Sequence, residues 1–107
     1  MKKFVFVYHG KAMTGEESQE EMKSTMDKWM AWFGSFKESM VDSGNPFAPN
    51  GKSVSENGVE TISESAMPAT GYTIINARDI DEATKIAHGC PVIENGGAVR
   101  VYEALPM

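Results

Sequence analysis

The chain has 107 residues and a formal charge of −5, from 15 acidic against 10 basic residues, with 41% hydrophobic and 9% aromatic content; this suits one compact domain over residues 1–107 and argues against two. Lys and Arg are scattered between Lys2 and Arg100 without forming a run, which excludes nucleic acid and anionic membrane as expected partners. The one cysteine cannot close an internal disulfide, the apolar run after Lys2-Lys3 is too short for a signal peptide, and no stretch is long enough to span a bilayer, so a cytoplasmic protein is expected.

Phe4-Val5-Phe6-Val7-Tyr8 is aromatic and β-branched on both faces and reads as a buried strand. From Thr14 the period changes. Met22, Met26, Trp29, Phe33, Phe36 and Met40 recur at steps of three and four, the stripe of one long helix. Thr14-x-x-Glu17 and Ser18-x-x-Glu21 are both spaced as capping boxes, Glu16, Glu17, Glu20 and Glu21 suit the positive end of the helix dipole, and Ser43-Gly44-Asn45-Pro46 marks the stop. Trp29 lies on the stripe and is expected in the core, with Trp32 beside it, also favoured for the core or else bordering a cleft or subunit contact.

Residues 52–62 alternate around Asn57-Gly58, a strong hairpin signal, and residues 63–70 read as a loop. Residues 71–77 form a second buried strand. Asp79 or Asp81 then caps a short helix carrying Ile80, Ala83, Ile86 and Ala87, which Gly89 ends with Pro91 just beyond. Residues 97–105 are the last strand, alternating Val99 and Val101 with Arg100 and Tyr102. This order predicts an α+β, ferredoxin-like fold with two helices on one face of an antiparallel sheet. The other face is left bare and apolar, and a homodimer with sheets face to face is the expected cover.

The stretches "FVFVYHGK", "WMAWFGSF", "DSGNP", "GYTIINARDIDEATKIAHGCP" and "GGAVRVYEALPM" together resemble the YCII-related family of small bacterial proteins, near its DGPF-like branch, across nearly the whole chain. The resemblance implies a dimeric α/β barrel with a cleft at the end of the sheet. It also implies that some members use a histidine and an aspartate there. This sequence departs from that pair: Cys90 stands before Pro91 in place of the aspartate, the helical histidine falls at about Trp29, and Glu64-Ser65-Ala66-Met67-Pro68 occupies the region of the acidic DGPF motif. Each departure weakens the transfer of an acid–base mechanism.

In a ferredoxin-like topology the first strand ends at His9, at the edge where the Tyr72 strand begins, and the short helix returns His88 and Cys90 to that edge. With the two tryptophans this gives a candidate ligand-binding set of His9, Trp29, Trp32, Tyr72, His88 and Cys90. Each has a plainer role beside it. His88 suits the negative end of a helix dipole, and Cys90 is a small apolar filler whose place at a helix C-terminus opposes a thiolate. Glu94 suits a solvated turn as well as a site. His9 lacks such a role, so it is the weak candidate acid or base, although an ordinary surface histidine is equally consistent with its position. His-x-Cys is too slight a spacing for zinc and Gly96-Gly97 opens no helix for phosphate, so neither metal nor cofactor is expected. Three functional readings follow: a homodimer binding a small metabolite, a cofactor-free isomerase, lyase or monooxygenase-like enzyme using His9, or an accessory subunit acting through the acidic face of the long helix.

Overall fold

The first strand, β1 (Lys2–His9), sets the layout: Phe4, Phe6 and Tyr8 are buried on one side of it, while Val5, Val7 and His9 are half-buried on the other, because successive side chains of a strand point to opposite faces. The computed structural model describes residues 1–10, 18–62 and 67–107.

The long helix, α1, spans Gln19–Ser35. Its N-cap is Ser18, whose Oγ accepts from the Glu21 N–H at 3.1 Å, the backbone half of the second predicted capping box. The first box, Thr14 to Glu17, lies outside the described residues. The helix stops eight residues before the expected Ser43. A single 3₁₀ turn, Lys37–Ser39, leads into a short strand, β2 (Met40–Asp42), in which Met40 pairs with Ile75. Met40 continues the four-residue spacing from Phe36, so three residues of strand are indistinguishable from one more helical turn on periodicity.

The predicted hairpin forms from β3 (Lys52–Ser55) and β4 (Gly58–Thr61), with Ser55 opposite Gly58 and Gly58 at φ +118°, a conformation that suits glycine. It is a separate two-stranded sheet and lies outside the main one, where β2 is the strand that follows α1. Every residue of both strands is exposed. Then come β5 (Ala69–Ala77), α2 (Ile80–His88), α3 (Pro91–Glu94) and β6 (Ala98–Ala104). Asp79 is the cap of α2, its Oδ1 accepting from the Glu82 N–H at 2.8 Å. Pro91 does not merely close α2; it occupies the first position of α3, where a missing N–H costs nothing.

The four-stranded antiparallel sheet has the order β2-β5-β1-β6, the ferredoxin-like arrangement expected, with β5 and β1 central. On one face the helices close a core of Phe4, Phe6, Tyr8, Trp32, Phe36, Ile75, Ala77, Ala83, Ala87 and Cys90. The two tryptophans exchange the weights that the stripe suggests. Trp32 is 7% exposed, its indole N–H donating to the Ile86 carbonyl at 2.9 Å, whereas Trp29 is half-buried and sets its edge against Tyr8 at 4.8 Å between ring centres. Met22 and Met26, on the same predicted stripe, are exposed. Among the described residues no helix is long and apolar enough to cross a membrane.

Candidate functional site

The sheet divides the candidate residues between its two faces. Residues directly opposite one another on antiparallel strands point to the same side. Tyr72 is opposite Val7, and Val7 is in turn opposite Arg100; His9 is two residues further along β1, so His9, Tyr72 and Arg100 share the face that carries no helix. Trp29, Trp32 and Cys90 belong to the helical face. His88 is exposed in the last turn of α2. The expected gathering at one end of the sheet is therefore split: α3 does pack at the His9 end, where Gly10 and Gly97 lie against Val92, but Cys90 and His9 are on opposite sides of the strand.

On the helical face the polar atoms are spent on one another. The Tyr8 hydroxyl donates to Thr73 Oγ1 at 2.5 Å, and Thr73 donates to the Ser43 carbonyl at 2.9 Å. Burial holds the Tyr8 phenol well above its ordinary range, opposed by the Thr73 hydrogen bond and reinforced by nearby Cys90. Burial also pushes the Cys90 thiol up to about 12, only partly offset by a hydrogen bond from the Val92 backbone. Cys90 sits between α2 and α3 as the N-cap of the latter. Its reluctance to ionise comes from desolvation and not from the helix C-terminus that the sequence suggests.

The chain matches the YCII-related domain over residues 3–107. It belongs to the YCII-related family. Among solved structures this YCII-related protein is similar to 5-chloro-2-hydroxyhydroquinone dehydrochlorinase (TftG) from Burkholderia phenoliruptrix AC1100 in complex with 2,5-dihydroxybenzoquinone, at 16% sequence identity and a TM-score of 0.55, with 96% of this chain and 95% of that one covered; at that identity the likeness establishes the fold. No curated protein matches. In this YCII-related protein Trp29 and Cys90 both belong to the helical face, Trp29 with its ring against Tyr8 and Trp32 and Cys90 in the core, and neither offers a group that exchanges a proton near neutral pH.

The open face is differently equipped. His9 Nδ1 is 2.9 Å from the Met67 carbonyl oxygen. A carbonyl only accepts, so Nδ1 carries the hydrogen, and in the neutral ring Nε2 is left with its lone pair free to accept from a ligand. Val7 forms the floor beside it. On the far side Tyr72 is stacked with Phe47, 5.8 Å between ring centres and 26° between planes, an arrangement held by the Phe47 N–H donating to the Thr70 carbonyl at 2.8 Å and by Pro46 pairing with Gly71. Arg100 closes the other side and is exposed. Phe47 and Arg100 are both missing from the sequence-derived set. Arg100 was detectable, since Val99 and Val101 face the core and the residue between them must face away. Phe47 follows a helix-stop signal and has no local pattern of its own.

This surface is a shelf with two walls, and Phe47, 45% exposed, leaves it without a roof. Concavities along the outer flank of α1, lined by Glu20, Lys23, Ser24, Asp27, Lys28 and Ala31 and by Ser18, Glu21, Thr25 and Asn95, include none of the candidate residues. Among the described residues no three His, Cys, Asp or Glu side chains are grouped as a metal site.

Proposed function

We propose that this YCII-related protein is a cytoplasmic homodimer that holds a small metabolite on the open sheet face, at the His9 end. The observation that carries the reading is the His9–Met67 hydrogen bond, which fixes the tautomer and presents Nε2 as an acceptor beside an aromatic wall and an aliphatic floor, the mixture typical of ligand sites. The similar fold of TftG holds a ring-sized hydroxylated quinone, and a ligand of that size suits a floor one side chain wide. Two uncovered apolar surfaces support the dimer: the face bearing Val5, Val7, Tyr72, Ile74 and Tyr102, and the hairpin, whose directly opposed Val54 and Val59 are 75% and 66% exposed. An isolated two-stranded hairpin is marginal in water, and a second copy provides cover for both.

The same lone pair supports a second reading, in which His9 accepts a proton from the bound molecule as the base of a cofactor-free isomerase, lyase or monooxygenase-like reaction. Titrating the protein with 2,5-dihydroxybenzoquinone while following backbone amide signals by NMR separates the cases. Saturable shifts at Val7, Tyr72 and His9 that His9→Ala abolishes support the site, and slow conversion of the probe dependent on His9 supports the enzyme. Unchanged affinity in His9→Ala removes both. Sedimentation at micromolar concentration tests the assembly: a dimer that Val5→Lys converts to monomer is expected, and a monomeric wild type rejects it.

A further inference from the structure

The open face has a charge that the composition of the chain hides. The protein carries −5 overall, yet the residues that β1, β5 and β6 turn to this face include Lys3 and Arg100 and no carboxylate. Glu103, the one acid of these three strands, is opposite Phe4 on the helical side and lies 3.9 Å from Lys2. Asp42, opposite Ile74 on the edge strand β2, stands at the margin of this face, three strands from Arg100, and its Oδ1 accepts from the Gly44 N–H at 2.8 Å. The ion pairs among the described residues are Lys2 with Glu103, Lys28 with Glu94 and Arg78 with Glu82, so no described residue neutralises Arg100.

We propose that Arg100 reads the charge of the ligand, and that the ligand is a small planar anion, a carboxylate or a compound of like geometry, that also carries a hydroxyl group. The inference rests on the reading that the open face is the binding surface and adds to it the chemical class of the occupant. Adjacent strands are about 5 Å apart and alternate residues of one strand about 7 Å apart, so Arg100 and Tyr72 flank Val7 at about 10 Å from each other and His9 lies one step along the strand. Those separations match a single six-membered ring with substituents, lying flat on Val7. The guanidinium is a planar fork of donors with no acceptor, which pairs two oxygens of a carboxylate at once. His9 Nε2, with Nδ1 committed to Met67, can only accept while the ring is neutral, and so requires a ligand that still bears an O–H. The two side chains thus select opposite features, an anionic oxygen at one end and a hydroxyl hydrogen at the other.

The test uses 4-hydroxybenzoate, its neutral isostere 4-hydroxybenzamide, and benzoate, titrated into the intact protein and into Arg100→Met and His9→Phe, with amide shifts locating the probe and calorimetry giving affinity. The wild type is expected to bind 4-hydroxybenzoate about tenfold or more tightly than 4-hydroxybenzamide, the scale of one charge-assisted hydrogen-bond pair. Arg100→Met is expected to bring that ratio close to one, with a much smaller loss of affinity for the amide than for the carboxylate, and His9→Phe to abolish the preference for 4-hydroxybenzoate over benzoate while the carboxylate preference persists. If the probes shift Val7, Tyr72 and His9 but Arg100→Met keeps the preference for charge, the assignment of Arg100 fails and the shelf stands. If no probe shifts these residues, or the shifts fall around Trp29 and Cys90, both fail. Unchanged amide spectra away from the shelf confirm that each variant is folded.

Discussion

Cys90 is the one cysteine of the chain and is buried in the core on the helical face, so its reactivity decides whether that face has any covalent chemistry to offer. The side chain is 2% exposed, and burial raises the thiol from 9.0 to about 12 against a weaker pull from the Val92 backbone N–H. Three units of pKa leave about 1,000-fold less thiolate than an ordinary cysteine carries near pH 8, and the thiolate is the form that reacts. Iodoacetamide at about pH 8 should therefore modify the folded protein at least about 1,000-fold more slowly than the chain unfolded in urea, with the residual rate set by the population of open molecules. Intact-mass spectra collected over time give both rates. Raising the pH should increase the folded rate steadily with no inflection near neutrality. Modification within about tenfold of the unfolded control, or an inflection near neutral pH, would refute the burial argument and make Cys90 a reactive thiol.

Thr73→Val removes the acceptor of the buried Tyr8 hydroxyl and should cost about 2–3 kcal/mol in urea unfolding, because a stranded donor costs more than a lost hydrogen bond. Adding Tyr8→Phe should recover part of that loss, and strict additivity of the two changes would show that the pair is not coupled. Alkaline stability follows from the raised Cys90 thiol: below 9.0 both folded and unfolded forms keep the proton, whereas between 9.0 and about 12 only the unfolded chain releases it, so stability falls as pH rises, by up to about 1.4 kcal/mol per pH unit. The raised Tyr8 phenol adds a loss of the same sign at higher pH. Cys90→Ala should flatten the decline measured between about pH 9 and 10.5, and an unchanged slope would assign the loss to other groups.

The strands β1, β5 and β6 and the helix α2 were legible because each carries its own period or cap. What escaped was information that no local window contains. Three residues of β2 are too few to show alternation, and Met40 fits the helical spacing equally well. Asn57-Gly58 announces a hairpin without saying which sheet receives it, and with Ser53, Ser55 and Glu60 on one side its apolar surface is the single opposed pair Val54 and Val59 on the other. Pro91 reads equally as the stop of one helix and the first residue of another. At the site, topology correctly brings the end of β1 and the α2–α3 junction to one end of the sheet, but position along a strand does not fix the side. The odd and even residues of Phe4 to His9 already contained the answer. Phe4, Phe6 and Tyr8 form the buried set, so His9 must face away from anything packed on them, Cys90 included. The same rule exposes Arg100.

The charge of the open face connects the two parts of the proposed function. A symmetric dimer brings a face to its own copy, and on this face Lys3 and Arg100 outnumber the carboxylate that β2 adds at the margin, Asp42 opposite Ile74. Apolar burial of Val5, Val7, Ile74 and the tyrosines favours closure, while the excess of cations among the described residues of this face opposes it. An anion seated between Arg100 and His9 relieves that opposition, and a ligand that binds the closed dimer better than the protomer must tighten the dimer by the same factor. Binding and assembly are then one equilibrium. Dimer dissociation measured with and without 4-hydroxybenzoate should show the linkage. High salt, which screens the cations on either route, should strengthen the empty dimer and narrow the difference that the probe makes. A dimer whose affinity is indifferent to both salt and the probe would place Arg100 outside the interface and separate the two halves of the proposal.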